Sequence, residues 1–516
     1  MGKLSGIGMA SCPTIVHEFA ISISWVLLSS PSEAARRVGR FFSLERTVTI
    51  AVVAIVCWQL FVPPILGLAD NGDFARLTVF FDLTHAPTDR ADRYFGFLTR
   101  HYVVDAAEAR RYSPPGFISS ELLFIAGPVA INRLLGKTSF DLLELGAVHV
   151  VVFAASAFLL LFASKPFAGP VRTSAIIIGA IAFTDIAYIA YFNSFYGESA
   201  TFLLFMSVAA CAYGAMSSGP RRIVWLVAYF AAVTAFLLAK YQNLVLLPFF
   251  LFFGGLLVKR WGEVRYFRSY LVFSLIACFG GYQFYISSPD VISDAVLYNS
   301  VFNGVLVDSP TPEDDLSALG LDRAYAKYAG STAFEPSSLR FNDEFLRKFR
   351  ESVTIGGVFR FYLERPGRLL NALNRTVARA FQLRAALGNY EKSAGYPPLS
   401  ISRSWAMWSS IRSAILPRNL WVVLTIGILY LALLSRRWLR HKEQLARLNV
   451  EWCALIPVMA LAQLFVITVS DGVIDLIKHA YLFNLLFDSM LVAMGAQLLA
   501  SLAGTSKAKE TESERS

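Results

Sequence analysis

Apolar residues in this chain gather into long runs at 47–67, 143–163, 174–192, 199–217, 222–239, 243–258, 267–286, 418–435, 451–470 and 479–503. About 20 apolar residues wound as a helix span the roughly 30 Å hydrocarbon core of a bilayer. In lipid the backbone must bond within its own segment, and these runs lack the alternation of barrel strands. The pattern therefore predicts an all-α polytopic membrane protein with about ten transmembrane helices.

The polar stretches between the runs set the organisation. Residues 1–46 form an N-terminal cytoplasmic or interfacial segment, and 47–286 a transmembrane core with a long first loop at 69–142. Residues 287–417 are long enough for a small domain. The chain closes with transmembrane helices over 418–503 and a polar tail, 504–516, whose composition predicts disorder.

The 287–417 segment reads as a helical extracytoplasmic domain. Thr311-Pro312-Glu313-Asp314 offers an N-cap, a proline at the first helical position and acids in the first turn, with Gly320 as a stop. Asn342 opens a second helix. A third is predicted from Pro366 to about residue 386, with Leu370, Leu373, Val377 and Phe381 on one stripe and Arg368, Arg375 and Arg379 on another. That basic stripe reads either as a solvated face or as a surface resting on anionic lipid.

Charge fixes the expected orientation. The chain is 55% hydrophobic and 16% charged, with a net charge of +10. The basic residues cluster between apolar runs, which points away from nucleic acid. The clusters are Arg36, Arg37, Arg40 and Arg46; Lys165 and Arg172; Arg221 and Arg222; Lys259 through Arg268; and Arg436 through Arg447. All satisfy one alternating topology with both termini cytoplasmic. Residues 118–135 are apolar, but counting them as a crossing would invert every later loop. They are predicted as a juxtamembrane helix on the outer face. The run at 19–28 is read as an interfacial helix, since cleavage after it would leave the following arginines outside. None of the five cysteines, at 12, 57, 211, 278 and 453, lies in an outer segment, so no disulfide framework is expected.

With that orientation, chemistry-bearing residues collect at outer boundaries. Asp70 and Asp73 follow the first run. Tyr191, Asn193, Tyr196 and Glu198 follow the third, and Lys240 and Tyr241 the fifth. Tyr298 and Asn303 open the 287–417 segment, Asn389 lies late in it, and Asp471, Asp475, Lys478 and His479 follow the ninth run. Asp70 or Asp73 suits a general base, and equally a helix cap. Lys240, Lys478 and His479 suit a phosphate site, while Lys478 and His479 are also spaced to pair with Asp475. Glu198 could ligate a metal or cap a helix. No His or Cys cluster has ligand spacing, which leaves a divalent ion such as Mg or Mn open and undemanded. Asp185 and Asp488 fall inside apolar runs and support a second reading, a transporter or flippase of a lipid-linked glycan. A structural role in an envelope complex is a third. No nucleotide-binding glycine motif is present.

Ala69-Asp70-Asn71-Gly72-Asp73-Phe74, Asn193 through Glu198, Leu387 through Glu391, and Lys478-His479 resemble motifs of the GT-C membrane glycosyltransferases. They are most similar to bacterial hexose transferases of surface-layer glycan assembly. The resemblance implies a polyprenyl-phosphate sugar donor, an envelope glycan, lipid or protein acceptor, and transfer at the outer face of the inner or plasma membrane. It implies Asp70 or Asp73 as base and Lys240, Lys478 and His479 at the donor phosphate. Asn193, Tyr196, Glu198, Tyr241, Tyr298, Asn303, Asn389 and Asp475 are then expected around the substrates.

Overall fold

The computed structural model describes residues 43–513 apart from 90–91, 113–117, 218, 220 and 471. The expected helix at 19–28, the arginines at 36–40, Cys12 and Asp471 lie outside the described residues. The chain divides into two compact units, residues 1–48 and 49–516. Of the first, only residues 43–48 are described, and they lead into the first long helix.

All ten apolar runs are helical. Eight helices are long and apolar enough to cross a membrane: Leu44–Phe61, Leu142–Ala163, Glu198–Ser217, Tyr241–Trp261, Val264–Ile286, Leu420–Arg440, Gln444–Ser470 and Tyr481–Ala503. The other two depart from that form for visible reasons. Pro170–Phe183 and Ile186–Phe192 meet at 59°, because Asp185 ends one helix and starts the next. Its carboxylate accepts from Ala187 N at 2.9 Å and from Ser409 N at 2.9 Å, so one side chain caps two helices. Gln59 Nε2 and Trp405 Nε1 bond Thr184 at the same break, supplying partners that lipid cannot. Arg222–Leu237 has only 16 residues. Its last carbonyls receive Ser119 Oγ, Ser120 Oγ and Ser120 N, so its short end is closed by protein.

Those serines open Glu121–Leu134, the helix expected at the outer membrane face. At 14 residues it spans about 21 Å, short of the hydrocarbon thickness. Leu123, Ile131 and Leu134 are exposed along it, while Glu121 is fully buried and bonds His149 at 2.8 Å.

The first long loop also holds a sheet that hydrophobic pattern did not predict. Strands β1 (Leu83–His85), β2 (His101–Val104) and β3 (Ser139–Asp141) pair antiparallel in that order, with Thr84 opposite Val103 and Tyr102 opposite Phe140. Three or four residues cannot establish a period, and only Tyr102, Val103 and Val104 are residue types that favour strands.

Residues 287–417 are helical but belong to the larger compact unit. Their aromatic core of Tyr298, Phe302, Phe345, Phe349 and Tyr362 packs with Val469 of the Gln444–Ser470 helix. Asn342 caps Asp343–Ser352 through Phe345 N, as expected. The predicted third helix ends at Ala380, six residues early, and its buried face is Ala372, Thr376, Val377 and Ala380. Leu370 is exposed. The basic stripe is engaged by protein acceptors along its length. Arg368 bonds Asp315 and Val305 O, Arg375 bonds Asp308 and Gly304 O, and Arg379 bonds Val473 O. These arginines tie the segment to itself and to the turn before the last span. The last helix runs from Tyr481 to Ser513. Helix therefore covers 504–513 of the polar tail, where Lys, Ala and Glu are good helix formers and extension adds little cost.

Asp488 is fully buried in that last helix. It accepts from Tyr188 Oη at 2.6 Å, Trp408 Nε1 at 2.7 Å and Arg412 Nη1 at 2.9 Å. Arg412 Nη2 reaches Asn484 Oδ1 at 2.7 Å. Asp185 and Asp488 thus both fasten Met407–Ile415 into the bundle, with their oxygens engaged by protein donors.

Candidate active site

The chain leaving the first span is clamped before it can turn. Leu66 bridges to Tyr390, and Gly67 N and Ala69 N donate to Asn389 O and Gly388 O. Asn193 Nδ2 bonds Leu60 O and Leu66 O, and Asn389 Nδ2 bonds Gly67 O while its Oδ1 accepts from Ser402 N. Both amides are buried and hold main chain, where the sequence reading had them binding substrate. Gly388 is required here, since a Cβ would lie 1.9 Å from Gly96 O.

Asp70 then builds the turn. Its Oδ1 accepts from Gly72 N at 2.7 Å and Phe74 N at 3.2 Å, and Gly72 takes φ +100° to allow it. Phe74 locks the turn by packing edge-on against Phe195 and Tyr196. Asp70 is 1% exposed, and its Oδ2 lies 3.5 Å from His85 Nε2. Burial pushes its carboxyl up to about 7, with the Asp73 charge adding and the Phe74 and Gly72 N–H groups and Lys478 opposing. Burial and the Arg93 charge push His85 down to about 4, so its ring is neutral at pH 7.

Asp73 is held differently. Its side chain is about a quarter exposed and pairs with Arg76 at 3.0 Å and with buried Lys478. Burial works against its charge, but Lys478 and Arg76 outweigh burial and hold the carboxyl well below the usual range. Lys478 is correspondingly held above its ordinary value: burial opposes, and Asp73, Asp475 and Glu198 prevail. Lys478 also lies 3.4 Å from Asp475 and 4.9 Å above the Tyr196 ring. Asn71 joins the groups, with Nδ2 on Asp475 Oδ2 at 2.6 Å and N on Tyr196 Oη at 2.9 Å.

The remaining expected residues divide. Glu198 and Lys240 pair at 2.5 Å beside this cluster, and Gln242 Nε2 donates to His479 O. Tyr241 stacks on Phe284 with centroids 4.4 Å apart. Tyr298 lies inside the 287–417 core, where its hydroxyl meets Ser331 Oγ at 2.8 Å, away from the cluster. Asn303 is an anchor: it accepts from Val473 N and donates to Gly330 O, fixing the turn that delivers Asp475. Lys478 pairs with Asp475 as its spacing allowed, whereas its pairing with Asp73 and that of Lys240 with Glu198 join residues the sequence reading had not paired. That reading gave no role to Asn71, Arg76 or His85. Arg76 is one helical turn past Asp73 and so was legible; His85 reaches Asp70 only through the unforeseen sheet.

Among the described residues, no group of three or more His, Cys, Asp or Glu side chains could hold a metal ion. The charges paired with Asp73 are a lysine and an arginine, with a smaller contribution from His479. This arrangement presents an ionised, partly open carboxylate between two cations, able to take a proton and to meet an anion.

Because Asp70 keeps a proton in the folded chain over the window from about 4 to 7, its contribution to stability falls as pH rises through that window. Asp70→Asn keeps the oxygen that accepts from Gly72 and Phe74. The variant is expected to exceed wild type in thermal unfolding by clearly more at pH 8 than at pH 5. An identical difference at both values would disprove a protonated Asp70.

No curated protein and no solved structure matches this chain. The family described as the YfdI N-terminal transmembrane domain matches residues 32–515, and the chain belongs to that family.

Proposed function

We propose that this protein is a GT-C-like membrane glycosyltransferase that moves a sugar from a polyprenyl-phosphate-linked donor to an envelope glycan, lipid or protein acceptor. The family description names a transmembrane domain and no activity, so the reading rests on the site. The observation that carries it is that the four segments bearing the resemblance meet around one ionised aspartate. Hydrogen bonds or ion pairs join residues 66–74 to 193–198, 388–390 and 475–478.

Asp73 is the base in this mechanism, because it alone of the two acids reaches open space. It takes the acceptor hydroxyl's proton as that oxygen attacks the anomeric carbon and the bond to the lipid phosphate breaks. At rest Lys478 and Arg76 make it a weak base. An arriving phosphate draws on the same two cations and so raises Asp73's proton affinity. Once Asp73 is neutralised, both cations are free to offset the charge of the departing phosphate. Base and leaving group thus exchange one set of counter-charges.

Among the described residues, basic residues from the 221–222, 259–268 and 436–447 clusters gather at the opposite end of the bundle, where Arg222 pairs with Glu263, and Arg260 pairs with Glu451 and accepts from Gln444. By the positive-inside rule that end is cytoplasmic and the site is outside, which favours a lipid-linked donor over a nucleotide sugar.

The test is to offer purified protein in proteoliposomes a labelled polyprenyl-phosphate hexose or a nucleotide hexose, each with envelope glycan acceptors. Consumption of the lipid-linked donor alone is the expected result. Movement of an intact donor across the bilayer, with no transfer, would replace this reading by transport.

A further inference from the structure

Behind the Asp70–Asp73 turn lies a group of polar atoms that the proposed reaction leaves unused. Asp70 Oδ2 and His85 Nε2 face each other at 3.5 Å, and neither has a hydrogen-bond partner. Tyr102 Oη, on the strand paired with β1, is buried and unpartnered as well. The His85 ring is held between Tyr102, centroid distance 5.1 Å, and Tyr94 at 5.8 Å. Asp70 cannot turn away, since its other oxygen is bound by Gly72 and Phe74.

Buried polar atoms without partners are uncommon, and two opposed atoms of an acid and an imidazole suit one particular occupant, a proton. We propose that His85 is a positioning residue that shares a single proton with Asp70, so that the turn behind Asp73 carries no net charge. This role rests on the reading of Asp73 as the base.

The surroundings favour that state. Asp70 is faced by His85 from β1, Tyr102 from β2, Tyr196 from the 193–198 segment, Lys478 from the turn before the last span, and Asp73 on its own turn. His85 is faced additionally by Arg93. An ionised Asp70 with neutral His85 would set a second negative charge beside Asp73 and compete with it for Lys478. A doubly protonated pair would bury an imidazolium near Arg93. Only the singly protonated pair avoids both.

The first measurement is independent of any reaction: pH-difference infrared spectra of the purified protein in lipid nanodiscs. Wild type is expected to show a protonated-carboxyl band that titrates away at about pH 7 and is missing from Asp70→Asn. A proton shared by two bases leaves at higher pH than one held by a single base. His85→Phe, which keeps a ring against Tyr102, is therefore expected to lower the midpoint by about one pH unit. His85→Gln restores an acceptor and returns it. Should His85→Phe not accumulate, His85→Leu also lacks the acceptor. A midpoint indifferent to His85, or no such band in wild type, overturns the proposal.

The second measurement is the pH profile of sugar transfer for the same variants, expected to move with the band. If the band follows His85 but wild type transfers no sugar, the proposed reaction fails and the shared proton stands. If wild type transfers sugar and the band ignores His85, only the shared proton fails.

Discussion

Asp73→Asn is expected to lower sugar transfer by about 10²–10⁴-fold, the usual contribution of a positioned base, with unchanged amounts of folded protein in the membrane. The amide keeps the carbonyl oxygen that faces Arg76, and Lys478 retains Asp475 at 3.4 Å, so neither cation is stranded. What disappears is the ability to take a proton. Asp70→Asn should cost far less, because Asp70 is 1% exposed and its structural oxygen survives as an amide oxygen. Initial rates at matched protein levels make the comparison. Near-normal transfer by Asp73→Asn with complete loss in Asp70→Asn would reverse the assignment.

The largest stability effect is expected at Asp488. Asp488→Leu leaves the Arg412 guanidinium buried without its carboxylate, which costs about 3–5 kcal/mol. Tyr188 and Trp408 lose their acceptor as well. Asn484 and the rings of Phe381 and Phe487 remain around Arg412 but supply no opposite charge. The double variant Asp488→Leu/Arg412→Leu removes both charges and should recover much of that loss, since a buried pair is often replaceable by well-packed apolar residues. Thermal unfolding in detergent reads both. A single variant as stable as wild type, or a double variant worse than the single, would refute the argument. Loss of activity on changing Asp488 then reports on folding, and is no sign of a transport pathway.

Much of the fold was legible because lipid imposes a strong length rule. Each of the ten long apolar runs became helix, and the described basic residues at 221–222, 259–268 and 436–447 lie together at one end. The two irregular spans were not legible. What breaks one is Asp185 capping Ser409, and what shortens the other is Ser119 and Ser120 closing its end. Both are contacts between residues distant in sequence. The site was legible as a list of boundary residues but not as a set of roles. Asn193, Asn303 and Asn389 have the same chemistry whether they bind a sugar or a carbonyl, and only geometry shows that they bind carbonyls. The pairing of Lys478 with Asp73 likewise joins residues 405 positions apart, beyond any local pattern.

That same separation orders the protein's biogenesis. The turn carrying Asp73 leaves the ribosome early, but the lysine that holds it ionised is made only after nearly every span has been inserted. A nascent or truncated chain therefore carries the acid with only Arg76 as its counter-charge. On the proposed function, donor lipids in the growing membrane meet the complete set of charges only once the turn before the final helix is in place.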